Sequence, residues 1–327
     1  MSQNPPYLPR TSSRPIVAAM GAVLLAGALT GCGGGGGSAT AGAGAAGSEP
    51  IVTAIRTDSL KFGLPSTFVV SGSNLDESVT VPPPGGVTCT SPRADRISAT
   101  ELRIVCTPED VGPLQITLVR QGVTLGTHTD EVVKPRVQMV IGSGASARQI
   151  ELTIEPGSRG GVQRGWVNNF LHYVNSGFYN GTFFHGLFEN TVVDGGCYAR
   201  DPNSTPSLDR KSATVLAPAP LAPLTIEGSL RNLQYTVAIS QAACTGAQFS
   251  SFSLNLLDNS TGKLTDRDAA KFVAIGSFNG ADAATRQQLI DLSRLTRRIQ
   301  TNPQEAWLPN APNDLAAGTI QSMTQTR

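Results

Sequence analysis

The 327-residue chain is 39% apolar and only 15% charged, with 25 Lys and Arg against 24 Asp and Glu. That composition supplies cores for roughly two folded domains and excludes a disordered acidic or basic protein. A formal net charge of +1, with no local block of Lys or Arg, offers no field for nucleic acid, and 35 glycines and 22 prolines imply the many turns of a mostly β fold.

Residues 1–15 are polar and carry Arg10 and Arg14, and Ile16 to Gly31 is an uncharged run rich in Ala, Val and Leu. The run is shorter than the roughly 20 residues that span a bilayer and fits the apolar core of a secretory signal. It ends in Leu29-Thr30-Gly31-Cys32, which resembles the bacterial lipobox. The resemblance implies cleavage after residue 31 and a lipid on Cys32; an ordinary signal peptide with an incidental cysteine is the alternative. Gly33 to Ser48 contains only Gly, Ala, Ser and Thr. Such a stretch builds no core and makes a flexible tether reaching roughly 20–25 Å. Gly33, rather than Asp, behind the lipidated cysteine favours the outer membrane by the sorting rule of Gram-negative lipoproteins. The chain is therefore expected in the cell envelope, lipid-anchored and facing the periplasm.

Five cysteines is an odd count. With Cys32 set aside, Cys89, Cys106, Cys197 and Cys244 fall into one pair per folded unit, in a compartment that permits disulfides. A metal site is the weaker alternative: no C-x-x-C occurs, and His128, His172 and His185 show no ligand spacing.

Residues 49–134 alternate short apolar runs with turns: 51–55, 66–71, 101–106 and 114–119 read as strands, and Pro82 to Gly86 as a loop. The pattern, with Gly72-Ser73-Asn74-Leu75, resembles the immunoglobulin-like β-sandwiches of bacterial surface proteins. A Cys89–Cys106 bond would close a loop of about 17 residues and contribute about 3 kcal/mol to a thin core. Nothing in this unit points to catalysis, and a spacer or docking module is the expectation.

The second unit, residues 135–309, opens with strands at 137–141 and 149–154. A helix follows over 165–175, with Trp166, Val167, Phe170, Leu171 and Val174 on one face and Ser176-Gly177 as its stop. The segment from Asn169 through Ser176-Gly177-Phe178-Tyr179-Asn180-Gly181-Thr182-Phe183-Phe184-His185 closely resembles the cyclophilin pattern N-F-L-x-Y-V-x-x-G-F-Y-D-G-T-x-F-H. The block from Phe184 to Gly196 aligns without a gap on the family's F-H-R-V-I-P-G-F-M-I-Q-G-G. Residues 235–239, 250–255 and 272–276 resemble later strands, and Ala283 to Gln300 reads as a helix with Leu289, Leu292, Leu295 and Ile299 on one face. The resemblance implies a closed eight-stranded β-barrel capped by two helices, with peptidyl-prolyl cis-trans isomerase activity and proline-containing peptides or envelope proteins as partners. The sequence contains no evident metal, nucleotide or cofactor site. Residues 310–327 are polar and are expected to form a flexible tail.

Isomerisation of an X–Pro bond crosses a barrier of about 20 kcal/mol, because the amide must lose conjugation. An enzyme of this family grips the proline in an apolar pocket and donates hydrogen bonds from an arginine to the twisted amide. Here Gly186 occupies the arginine position. Thr191 and Val192 stand for the pocket phenylalanine and methionine, Asp194 for the glutamine, Ser251 for a second glutamine and Ser253 for a second phenylalanine. Phe184, His185, Gly195, Gly196, Phe252 and Gly276 match the family and are read as architectural. Isomerase activity is expected to be weak or absent, with the groove persisting as a peptide-binding surface. Arg164 and Arg200 are the nearby cations, and no motif points to either. The family's barrel also brings the segments of Cys197 and Cys244 together, which implies their disulfide.

Overall fold

The computed structural model describes residues 49–327 except 58–59, 145–146, 160, 201–207, 211–229, 241–249, 263–266, 268–271, 281 and 295–315. The leader, Cys32 and the tether lie outside the described residues, as do Cys244, Leu295, Ile299 and the end of the expected last helix. Gly47–Arg327 forms one compact unit.

Seven strands come first: β1 (Ile51–Thr57), β2 (Ser66–Ser73), β3 (Gly85–Gly86), β4 (Cys89–Arg96), β5 (Glu101–Pro108), β6 (Gly112–Arg120) and β7 (Val123–Val132). They form two antiparallel sheets, ordered β1-β2-β5-β4 and β3-β6-β7. Strand alternation sends every second side chain to one face. Phe68 and Val70 on β2, Leu102 and Ile104 on β5, and Leu114, Ile116 and Leu118 on β6 are accordingly buried. Phe68 pairs with Ile104 and Val70 with Leu102, so the register matches apolar to apolar. The Cys89–Cys106 disulfide is formed, with Cα atoms 5.5 Å apart. The expected loop at 82–86 holds one exception. Gly85-Gly86 pairs with Gln115-Leu114, because Gly86 at φ 79° lets the backbone approach Pro113, whose carbonyl oxygen a Cβ would meet at 2.2 Å.

The remaining strands are β8 (Arg136–Ile141), β9 (Arg148–Ile154), β10 (Thr182–Phe183), β11 (Gly186–Phe188), β12 (Val192–Gly195), β13 (Tyr198–Arg200), β14 (Leu208–Arg210), β15 (Thr236–Ser240), β16 (Phe252–Asn255), β17 (Phe272–Phe278) and β18 (Ile320–Gln325). The helices are α1 (Val162–Asn175) and α2 (Ala283–Arg294). One curled sheet runs β11-β12-β16-β15-β17-β9-β8-β18, and β10-β13-β14 form a small separate sheet. The ends of the large sheet approach each other: Phe183 bridges Thr319, and Phe184 N donates to Gly318 O at 3.0 Å. No continuous ladder joins β11 to β18 among the described residues. Gly276 permits the β9–β17 approach, since a Cβ there would lie 2.3 Å from the Thr153 carbonyl oxygen.

The expected tail is overturned. Residues 320–325 are a strand antiparallel to β8, with Ile320 opposite Ile141 and Met323 opposite Met139. Ile320, Met323 and Gln325 are buried. Backbone pairing and two apolar anchors are enough to hold an otherwise polar edge strand.

Helix α1 buries Trp166, Val167, Phe170, Leu171 and Val174 and lies against β17 and β18, while α2 lies against β9, β11 and β12. The chain leaves α1 through Gly177 at φ 69°, a left-handed exit suited to glycine. It then enters a nest of aromatic rings. Tyr179 stands edge-on to Phe252 at 5.3 Å, and Phe184 to Phe252 at 5.8 Å.

Arg164 fastens the first two sheets to the rest. It is buried, its Nε donates to Pro156 O at 2.9 Å, and its Nη2 donates to Gly157 O at 2.7 Å and Asp110 Oδ1 at 2.9 Å. Its Nη1 donates to Glu109 O, and its guanidinium lies 5.0 Å from the centre of the Phe62 ring. Nearby, Gln325 Nε2 donates to Phe62 O at 2.9 Å. An Arg164→Ala chain is expected to lose about 2–3 kcal/mol, since several charge-assisted hydrogen bonds go at once. Urea denaturation would show this as a lower midpoint; an unchanged midpoint would mean that the junction is not coupled to folding.

Candidate functional site

Three neighbouring strands carry the site. Gly186 on β11 pairs with Asp194 on β12, and Asp194 pairs with Ser253 on β16. Cross-strand partners share a face of the sheet, so these three sequence-predicted positions form one row. All three are buried. The Ser253 hydroxyl donates to Asp194 Oδ1, and the His185 backbone N–H donates to Asp194 O at 2.8 Å.

The cation that reaches this row is neither Arg164 nor Arg200. Arg164 is spent at the junction described above, and nothing is described of the Arg200 side chain. Arg267 takes the position instead: its Nη2 donates to Asp194 Oδ2 at 2.9 Å. Arg267 is 7% exposed and Asp194 9%. The guanidinium stacks over Phe272, 4.3 Å from its centre, and stands 5.4 Å from that of Phe188. Its Nε–H is buried with no acceptor among the described residues. Burial pushes the Asp194 carboxyl up from the usual carboxylate range, opposed by the Arg267 charge and the Ser253 and Arg267 hydrogen bonds.

A chain of asparagines holds Arg267 in place. Asn255 Nδ2 donates to Asn232 Oδ1 at 3.1 Å, and Asn259 Nδ2 donates to Asn255 Oδ1 and Thr191 O, both at 3.0 Å. Asn232 Nδ2 donates to Phe272 O at 2.8 Å. The Arg267 backbone N–H donates to Asn259 O at 2.8 Å, and Arg267 O accepts from Phe272 N at 2.9 Å. The cation is fixed at both its backbone and its tip. Sequence reasoning missed it, because one arginine in a polar loop has no periodicity or motif. Its contact with Asp194 on β12 is made across 73 positions of sequence.

The other candidates sit as follows. Phe184 and Phe252 are in the aromatic core, where both rings come within 3.3 Å of a Cβ built on Gly195. Gly196, at φ 92°, has the Ser250 carbonyl oxygen 2.6 Å from where its Cβ would be. Val192 is buried two positions before Asp194 on the same face of β12, and Thr191 stands half-buried at the β11–β12 turn, its Oγ1 donating to Glu189 O at 3.0 Å. Ser251 is buried beside the row, and its carbonyl accepts from Ser240 N at 2.9 Å. The His185 ring packs edge-on to Tyr198 at 4.9 Å. Its Nδ1 is buried without a partner among the described residues; burial lowers its pKa to about 4, opposed by a hydrogen bond with the Phe183 backbone and aided by the Arg267 charge. Cys197 is disulfide-bonded; Cys244, its expected partner, lies outside the described residues.

Gly186 has no room for a larger side chain. A Cβ there would meet Asp194 Cβ and Oδ2, both at 2.9 Å. Gly186→Ala is therefore expected to cost about 1–3 kcal/mol by overpacking. A thermal melt would show the drop, and an unchanged melting point would mean that Asp194 moves aside freely.

A curled antiparallel sheet, packed against two helices, carries the polar row on three adjacent strands. Residues 166–277 match the sequence model of the cyclophilin type peptidyl-prolyl cis-trans isomerase/CLD family, and the C-terminal half of the chain is a domain of that type. It is 33% identical over 93 residues to peptidyl-prolyl cis-trans isomerase A of Dickeya dadantii, covering 28% of this chain and 43% of that one. It is 36% identical over 95 residues to peptidyl-prolyl cis-trans isomerase cyp18 of Streptomyces antibioticus, covering 28% and 49%. The chain thus spans about half the length of the curated relatives it matches. Among solved structures, a Cryptosporidium parvum cyclophilin type peptidyl-prolyl cis-trans isomerase aligns at 12% identity and a TM-score of 0.35, over 60% of this chain and 99% of that one.

Proposed function

We propose that this protein is an envelope lipoprotein, held by a lipid on Cys32, whose cyclophilin-type domain binds proline-containing peptides with strongly reduced isomerase activity. On this reading residues 49–134 are an immunoglobulin-like spacer or docking unit. The curled sheet is the family's barrel, and Cys197 is bonded to Cys244.

One observation carries the catalytic part. The donor position is Gly186, and the space above it is filled by an Asp194 carboxylate already paired with Arg267. Losing one main transition-state donor typically lowers the rate by about 10²–10³. The polar row of Asp194 and Ser253 also offers no apolar seat for a proline ring, so ground-state binding falls as well.

The test is a protease-coupled isomerisation assay on the full chain beside an active cyclophilin. A catalytic efficiency at least about 10²-fold below the active enzyme is expected. Comparable efficiencies would support the alternative, an active isomerase that assists the folding of exported proteins.

A further inference from the structure

We propose that Arg267 is the specificity-determining donor of this groove: its Nε–H receives a neutral carbonyl oxygen of the bound peptide. The proposal rests on the reading of the groove as a peptide-binding surface, and it names the group that does the binding.

Four observations converge on Arg267. Its Nε–H is buried with no acceptor among the described residues, and the residue is only 7% exposed. A buried donor left in that state is costly, and an incoming acceptor relieves the cost. The guanidinium is fixed in advance by the Phe272 ring at 4.3 Å and by Asp194 Oδ2 at 2.9 Å, so little freedom is lost on binding. The Arg267 backbone N–H donates to Asn259 O, and Asn259 is itself bonded to Asn255 and Thr191. Finally, the guanidinium lies against the carboxylate that fills the space over Gly186, at the row of Gly186, Asp194 and Ser253.

The charge balance selects the ligand. Asp194 already neutralises Arg267, so a second carboxylate would face a buried like charge 2.9 Å from the same guanidinium. An amide carbonyl carries an acceptor oxygen and no net charge. Because Arg267 is held by Asp194 before and after binding, it is expected to grip the planar and the twisted amide alike. Such uniform binding gives affinity without rate acceleration.

The test uses the full chain with ¹⁵N-labelled arginine, titrated with the blocked tetrapeptide Ala-Ala-Pro-Phe. One arginine Nε–H resonance is expected to shift, and it should be the one missing from Arg267→Lys. That variant keeps a cation for Asp194 and removes the Nε–H, and it is expected to bind the peptide roughly 10- to 100-fold more weakly. The wild-type spectrum decides the matter even if the variant fails to fold. Peptide binding with no arginine Nε–H shift, or with equal affinity in a folded Arg267→Lys, would overturn the role of Arg267 and leave the peptide groove standing. No peptide binding by the wild type would overturn the groove itself, and with it this proposal. Acetate as a separate probe is expected to leave the resonance in place; a shift with acetate and none with peptide would overturn the choice of a neutral carbonyl.

Discussion

Arg267→Met is expected to destabilise the protein by about 3–5 kcal/mol at pH 7, because it leaves the Asp194 carboxylate buried without its counter-ion. Methionine retains the apolar packing on Phe272, so the loss isolates the charge. The effect should shrink in acid. Burial already holds the Asp194 carboxyl above its ordinary range, and removing the cation raises it further. The group therefore protonates within the accessible pH range, and the unpaired charge disappears. Urea denaturation of both proteins at pH 7 and pH 5 measures this. A difference that stays constant or grows in acid would mean that the cost comes from packing and not from the ion pair.

The second large effect belongs to His185. Its folded pKa is about 4, against 6.5 for the unfolded chain. The folded state disfavours the charged ring, so this contribution to stability is complete above about pH 6.5 and is lost as the pH falls toward 4. The loss is about 3 kcal/mol over that window, at 1.36 kcal/mol per pH unit of displacement. Asp194 acts with the opposite sign, since its raised pKa favours folding once it protonates. The comparison must therefore be with His185→Gln, which keeps Asp194 and Arg267. Between pH 7 and 4 the wild type should lose about 3 kcal/mol more than His185→Gln. Parallel pH profiles would show that solvent reaches the ring freely.

Much of the architecture was legible because it is periodic. Phe68 and Val70 alternate along β2 as Leu102 and Ile104 do along β5, and the apolar face of α1 repeats at helical spacing. The cyclophilin resemblance, strongest from Asn169 to His185, assigned Gly186 to the family's arginine position and Asp194 to its glutamine position, but only the strand pairing shows the two side by side. What escaped has no such period. The last strand is built from Gln321-Ser322-Met323-Thr324-Gln325, and its pairing is a backbone property that polar side chains conceal. Gln325 is buried because its amide bonds the Phe62 carbonyl, 263 positions away. Arg267 stands between Asp266 and Asp268 in sequence and reads as a solvated loop charge. Only the fold, which sets its guanidinium 2.9 Å from Asp194 Oδ2 on β12, turns it into a buried partner for Asp194.

Exchange spectroscopy on a proline peptide tests the central claim most directly, because it reports binding and cis–trans turnover in one sample. Added wild-type protein is expected to shift the peptide resonances while leaving cis–trans exchange at its spontaneous rate or little above it. Exchange accelerated to the level of an active cyclophilin at the same concentration would contradict the account, and would mean that the Arg267–Asp194 pair opens to serve the twisted amide.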